Sequence, residues 1–184
     1  MLRNDLLVWM DLEMTSVTDV HKDQIIEIAV IVTDANLNVV AEGPDLIIHA
    51  DQALFDAAPP QAQELHTKNG LMALSVASTL SLTEAEEQVL AFLKEHVEPN
   101  TAPLCGNSIH VDRHFLALQM PRVEKYLFYR CIDVSTIKQL AQRWLPGVYA
   151  EAQHRKGESE HRAKDDIMAS ISELAFYRGA LFTR

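Results

Sequence analysis

Two acidic side chains, Asp11 and Glu13, close an apolar run that begins at Leu6. If this run is a β-strand, residues two apart point to the same face, so the two carboxylates lie side by side. Like charges at that distance repel each other, and a divalent cation removes the cost of ionising both. A strand that simply ends in solvated acids is the plainer interpretation, because the pattern D-x-E is common.

A third acid, Asp112, follows the turn-forming segment Gly-Asn-Ser at 106–108, near the start of a predicted helix. The junction between a strand end and a helix start is where α/β sheets usually build functional sites. The alternative is an acid that is favoured in the first turn of a helix for electrostatic reasons. Asp112 therefore adds weight to a carboxylate site without establishing one.

The segment HRAKDD contains His161 and two further acids, Asp165 and Asp166. Residues five apart on one continuous helix lie about 140° apart. His161 could therefore share a site with Asp166 only from a loop that precedes the helix, and the polar stretch before Ala163 favours such a loop. An exposed loop histidine is the alternative, and geometry alone does not choose between Asp165 and Asp166.

The elements that must position these side chains change character along the chain. Strands are predicted at residues 6–12, 25–33, 39–41 with 46–49 (interrupted by Gly43 and Pro44), 104–105 and 129–134. Helices are predicted at 83–96, capped by Ser81 or Thr83, at 111–120, at 135–144 with Ser135 as N-cap, and at 163–181. Residues 52–78 give no clear prediction, and 148–160 are expected to be irregular. The order predicts one α/β domain over residues 1–184, a mixed sheet flanked by helices.

Composition restricts the function classes. The formal net charge is −10, which argues against a protein that coats long nucleic acid, because that binding needs many Lys and Arg contacts to phosphate. A short nucleotide substrate is compatible with this charge, since bound metal ions supply local positive charge. Cys105 and Cys131 lack zinc-site spacing and are expected to be buried, reduced thiols.

The apolar run near the start of the chain is too short for a signal peptide or a membrane span. We therefore expect a cytoplasmic protein with no membrane partner.

The combination of these motifs is more specific than any one of them. D-x-E on the first strand, an Asp after GNS, and H-x-A-x-x-D before the last helix resemble the DEDDh exonucleases of the ribonuclease H-like fold. Longer segments are similar to the oligoribonuclease branch of that family: WMDLEMT, DANLNVVAEGP, CGNSIHVDRHFL, YRCIDVSTIKQL and HRAKDDI. The resemblance covers nearly the whole chain and implies a ribonuclease H-like mixed sheet.

The resemblance also implies a mechanism. In that family four acids bind two Mg²⁺ or Mn²⁺ ions, and the matching positions are Asp11, Glu13, Asp112 and Asp166. Oxygen ligands suit these hard cations. His161 matches the general base, and its ordinary pKa lies near working pH. The implied reaction is 3′-to-5′ hydrolysis of short single-stranded RNA, especially two-residue RNA, to nucleoside 5′-monophosphates.

Substrate contacts are implied in the same way. A cap on the 5′ phosphate matches Ser108, Arg130, Ser135 and Thr136, whose hydroxyls and guanidinium suit a phosphate end. His66 matches a residue near the 3′ nucleotide, and Tyr129 matches an active-site tyrosine that reaches across a homodimer. The simpler interpretations are a core aromatic for Tyr129, a surface charge for Arg130 and a helix cap for Ser135.

Three positions depart from the family pattern. Ser16 and Val17 stand where Gly and Leu are usual, so Val17 provides a shorter wedge between two bases. Gln61 replaces a Trp five residues before His66, a lost stacking surface of roughly 1–3 kcal/mol per base. We expect the chemistry to survive and base affinity to change.

Two alternatives remain at this stage. One is a DEDDh exonuclease that acts on DNA or on longer RNA ends. The other is a non-catalytic nucleotide-binding dimer module on the same fold, for which the loss of an acid or of the histidine would be expected, although all five positions are present.

Overall fold

The computed structural model describes residues 5–155 and 162–182. In this part of the chain one mixed sheet has the strand order β3-β2-β1-β4-β5. Its strands are β1 (Leu7–Met14), β2 (Ile25–Thr33), β3 (Val39–Ile47), β4 (Pro103–Gly106) and β5 (Phe128–Asp133). β2 pairs antiparallel with both β1 and β3, whereas β4 runs parallel to β1 and to β5. The predicted fold class, a mixed sheet flanked by helices, is confirmed.

The central strands are buried on both faces, as continuous apolar runs predict. All nine residues of β2 are buried, whereas β3 lies at the edge and its residues are exposed or only partly buried. The predicted interruption of β3 at Gly43 and Pro44 is wrong, because an edge strand tolerates proline and accommodates it with local irregularities in pairing. Gly43 gives room to the ring of Phe92, which would have to shift if a Cβ were present, since that Cβ would lie 2.6 Å from it.

Helices cover both faces. They are α1 (Gln52–Ala57), α2 (Pro60–Lys68), α3 (Leu71–Ala77), α4 (Leu82–His96), α5 (His110–Gln119), α6 (Pro121–Tyr126), α7 (Val134–Trp144), α8 (Pro146–Arg155) and α9 (Ala163–Leu181). The first three helices fill residues 52–78, for which the residue pattern makes no clear prediction. Ser81, rather than Thr83, caps α4 through a capping box with Glu84. Within the described residues, none of these helices is long and apolar enough to span a membrane.

Three local predictions are wrong. The irregular structure predicted for 148–160 is wrong over 148–155, which belong to α8, because Pro146 occupies a first helical position, where its missing N–H costs nothing. Residues 156–160 lie outside the described residues. Asp133, not Ser135, caps α7, and its carboxylate accepts a hydrogen bond from the Ser135 amide. Cys131 is exposed because β5 is an edge strand, whereas Cys105 is buried as expected.

The alternation of side chains along β1 decides which face of the sheet carries Asp11 and Glu13. Val8, Met10 and Leu12 pack into the apolar cluster that includes residues of α4 and α5. Trp9 packs instead into the cluster that includes residues of α7, α8 and α9. Because side chains two apart share a face, Asp11 and Glu13 point to the α9 side of the sheet.

Candidate active site

Three carboxylates converge on that side of the sheet. One oxygen each from Asp11, Glu13 and Asp166 lies within 4.8 Å of the other two. Over residues 5–155 and 162–182, no other group of three potential metal-ligating side chains comes as close. Asp166 stands in the first turn of α9, and its neighbour Asp165 is exposed. The structure therefore brings Asp166, and not Asp165, to the two acids of β1.

Asp112 borders this group. It is buried in the first turn of α5, and its Oδ1 accepts a hydrogen bond of 3.0 Å from the backbone N–H of Leu12. This contact forms because β4 ends at Gly106, so on the β4 side no strand pairs with the second half of β1. Gly106 allows a close approach at this end, since a Cβ there would lie 2.8 Å from Ile109 Cδ1 and 3.1 Å from the carbonyl oxygen of Met10.

The acids resist ionisation when no cation is bound. Burial, followed by the charges of Asp112 and Glu13, raises the pKa of Asp11 well above its ordinary value. Burial, followed by the charges of Asp166 and Glu27, raises the pKa of Glu13 to about 8. Burial also raises the pKa of Asp112 to about 7, although the Leu12 N–H opposes the shift.

These raised pKa values indicate what the cluster is suited to bind. A divalent cation stabilises the ionised carboxylates that burial and mutual repulsion otherwise disfavour. Carboxylate oxygens are the ligands that hard divalent cations prefer. The residues present thus fit the use of a divalent metal.

Sequence reasoning missed Glu27. It lies on β2 directly opposite Glu13 and is fully buried. Its carboxylate accepts two hydrogen bonds from the Arg162 guanidinium and one from the Ala163 amide. The signal was available, because a lone acid in the all-apolar run IIEIAVIVT is almost never buried without a partner.

The structure brings two of the four predicted phosphate-cap residues together. The hydroxyls of Ser108 and Ser135 lie 3.2 Å apart. Asp133 Oδ1 organises the pair by accepting from the backbone N–H of both residues, each at 2.9 Å. Ser108 has a φ of 52°, a conformation that this bonding holds in place. Sequence reasoning gave no role to Asp133, although this residue lies within the segment YRCIDVSTIKQL that resembles the family.

The other two predicted cap residues are exposed. Arg130 donates from Nε to the hydroxyl of Tyr129 at 2.8 Å, and its guanidinium lies 5.2 Å from the centre of that ring. Thr136 is exposed in the first turn of α7. Tyr129 itself is 68% exposed on β5, which excludes the alternative of a core aromatic.

Two predicted base contacts lie near the end of β1. Val17 is 66% exposed and lines an open cavity of about 400 Å³ together with His21, His110 and His114. His66 is buried on α2, where its Nε2–H donates to the carbonyl of Met14 at 2.8 Å. The predicted general base, His161, lies outside the described residues.

Comparison with known proteins agrees with the fold. The model of a protein family described as an exonuclease matches residues 8–174. Exonuclease I of Methylocaldum szegediense superposes with a TM-score of 0.71 at 18% identity, over 97% of this chain and 41% of that chain. Pop2p of S. pombe, in a form with Mg²⁺ and Mn²⁺ bound, gives a TM-score of 0.72 at 16% identity, over 96% of this chain and 84% of that one. The fold, the carboxylate group and the family match together define a nuclease of the exonuclease class.

Relatives of higher identity narrow this class. The oligoribonuclease of Halorhodospira halophila is 53% identical over 172 residues, which cover 94% of this chain and 92% of that protein. A mitochondrial oligoribonuclease of Bos taurus is 47% identical over 97% of this chain and 74% of its own length. The chain belongs to the oligoribonuclease family.

Proposed function

We propose that this protein is a 3′-to-5′ exoribonuclease that degrades short RNA, especially two-residue RNA, to nucleoside 5′-monophosphates. The observation that carries the proposal is the convergence of Asp11, Glu13 and Asp166 beside Asp112. Two divalent cations, Mg²⁺ or Mn²⁺, would be held by these four carboxylates. Family membership supports the same activity.

The positions of the described carboxylates support the following roles, and the role of His161 rests on the family resemblance. Bound cations would supply Lewis-acid activation of water and stabilisation of the leaving 3′ oxygen. Asp11 and Glu13 present their carboxylates from a rigid central strand, and Asp112 is oriented by the Leu12 N–H. We assign His161 as the general base that accepts the proton of the attacking water, because an imidazole titrates near working pH.

Selection of short substrates rests on the ends of the site. Ser108 and Ser135 form a pair of hydroxyls that can bind a terminal 5′ phosphate, and Arg130 and Thr136 complete the proposed cap. Val17 and His66 both adjoin the end of β1, where they would contact the bases. The formal charge of −10 weakens binding of longer RNA, which gains affinity mainly through phosphate contacts.

We also propose a homodimer in which Tyr129 reaches the active site of the partner protomer. Its exposure on the edge strand β5 supports this role, since a side chain packed in its own core could not act in trans. Residues 1–184 would form one exonuclease domain in the cytoplasm.

A substrate series tests the proposed function. The protein is given 5′-phosphorylated RNA of two to seven residues and DNA of matching lengths, with Mg²⁺ and then with a chelator. We expect the fastest release of monophosphates from two-residue RNA and none after chelation. Preference for DNA or for the longest RNA would refute the substrate assignment. Hydrolysis that persists in Asp112→Ala protein would refute the proposed catalytic centre.

A further inference from the structure

Glu27 is a charged residue in a strand whose every position is buried. Its side chain has 0% of its surface exposed. An isolated carboxylate in such a place is strongly disfavoured, so its stability depends on its hydrogen-bond partners.

Those partners are the two residues at the start of α9. Arg162 donates from Nε and Nη2 to Glu27 Oε1, at 2.9 and 2.7 Å. The backbone N–H of Ala163, the first residue of α9, donates to Oε2 at 3.2 Å. The first amides of a helix have no partner within the helix, and a carboxylate is favoured there by the helix dipole. Glu27 therefore ties β2 to the beginning of α9.

The same helical turn carries Asp166. Its backbone N–H donates to the carbonyl of Arg162 at 3.0 Å, so the position of Arg162 sets that of Asp166. Glu27 is also the cross-strand partner of Glu13, which shares its face of the sheet. The buried Glu27 side chain thus contacts α9, which carries Asp166. It also lies beside Glu13 of β1.

We infer that Glu27 is a positioning residue that, through Arg162 and Ala163, holds the first turn of α9 so that Asp166 meets Asp11 and Glu13 around a bound cation. This inference rests on the proposed function of that site. Glu27 by itself adds negative charge beside the cluster and raises the pKa of Glu13, and Arg162 opposes that effect. The hydrogen bonds from Arg162 and Ala163 offset the repulsion between Glu27 and the nearby acids.

The chain contains a matched control in the same turn of α9. Lys164 Nζ lies 2.8 Å from Glu42 Oε2 on β3, and the two side chains are 45% and 58% exposed. An exposed pair of this kind contributes little to stability or to geometry. Glu42→Gln removes one carboxylate charge at the start of α9, as Glu27→Gln does, without touching the buried anchor.

The experiment compares Glu27→Gln and Glu42→Gln in the full chain. Mn²⁺ affinity is measured by titration calorimetry without substrate, and kcat and KM are measured on 5′-phosphorylated two-residue RNA. Residues that orient metal ligands typically contribute 10–100-fold to metal affinity or activity, so we expect Glu27→Gln to weaken Mn²⁺ binding by about 10-fold or more. We expect kcat to fall with little change in KM, and Glu42→Gln to match the wild type within about twofold.

A second variant covers the case in which Glu27→Gln does not fold. Arg162→Lys retains the charge and one hydrogen bond, and should show an intermediate loss of Mn²⁺ affinity. Affinity equal to that of Glu42→Gln in whichever of the two variants is folded would overturn the inference. If the wild type binds Mn²⁺ but does not hydrolyse short RNA, the proposed function fails, and the calorimetric comparison alone still supports or overturns the role of Glu27.

Discussion

Asp112→Asn is predicted to stabilise the metal-free protein at alkaline pH while it abolishes hydrolysis. Burial raises the pKa of the Asp112 carboxyl from its ordinary 3.8 to about 7 in the folded chain. Between these two values the folded protein holds a proton that the unfolded chain has already released. The stability of the metal-free protein therefore falls as pH rises through this window, and the loss is complete above about pH 7.

The size of the effect follows from that pKa. At about 1.4 kcal/mol for each tenfold change, the shift corresponds to an upper limit of about 4 kcal/mol. Local relaxation and water entry soften buried charges, so we expect about 1–2 kcal/mol. Asparagine retains an oxygen that accepts the Leu12 N–H, so this hydrogen bond is preserved. The melting temperature should rise by about 2–8 °C near pH 8, with the gain shrinking as pH approaches 4.

Thermal unfolding with a chelator present, at several pH values from about 5 to 8, measures this effect. Asp165→Asn serves as the control, because it removes an exposed acid adjacent in sequence to Asp166. Saturating Mg²⁺ should stabilise the wild type more than Asp112→Asn, because the variant lacks a proposed ligand. An Asp112→Asn protein that is no more stable than the wild type near pH 8, or whose advantage grows as pH falls, would contradict the reasoning.

Three further predictions concern activity. Asp166→Asn should lower kcat by at least about 100-fold, whereas Asp165→Asn stays near the wild-type rate; similar losses in both would mean that the acid has been assigned wrongly. Mixing inactive Tyr129→Ala with inactive Asp112→Ala should restore part of the activity through hybrid dimers, and no recovery after confirmed subunit exchange would exclude a shared site. Ser135→Ala should weaken the preference for a 5′-phosphorylated dinucleotide over its unphosphorylated form by about 10-fold, measured as the ratio of kcat/KM values, and an unchanged ratio would remove Ser135 from the cap.

Local patterns predicted much of the fold correctly. β2 and α9 begin and end where the apolar run at 25–33 and the periodic segment at 163–181 predict. The prediction for Cys131 is wrong because its exposure depends on β5 being the edge strand, which distant parts of the chain decide. The predicted cap of α7 is wrong for a local reason, because the cap is Asp133, two residues before Ser135.

In the site, the local residue pattern is enough to predict that Asp11 and Glu13 share a face, because the two-residue period of a strand is a local property. The motif spacing, through the family resemblance, also selected Asp166. The hydrogen bonds between Asp112 and Leu12 and between Glu27 and Arg162 are visible only in the folded chain, because they join residues 100 and 135 positions apart. Such pairings arise from how strands and helices pack, and local periodicity carries no information about which distant side chain will complete a buried charge.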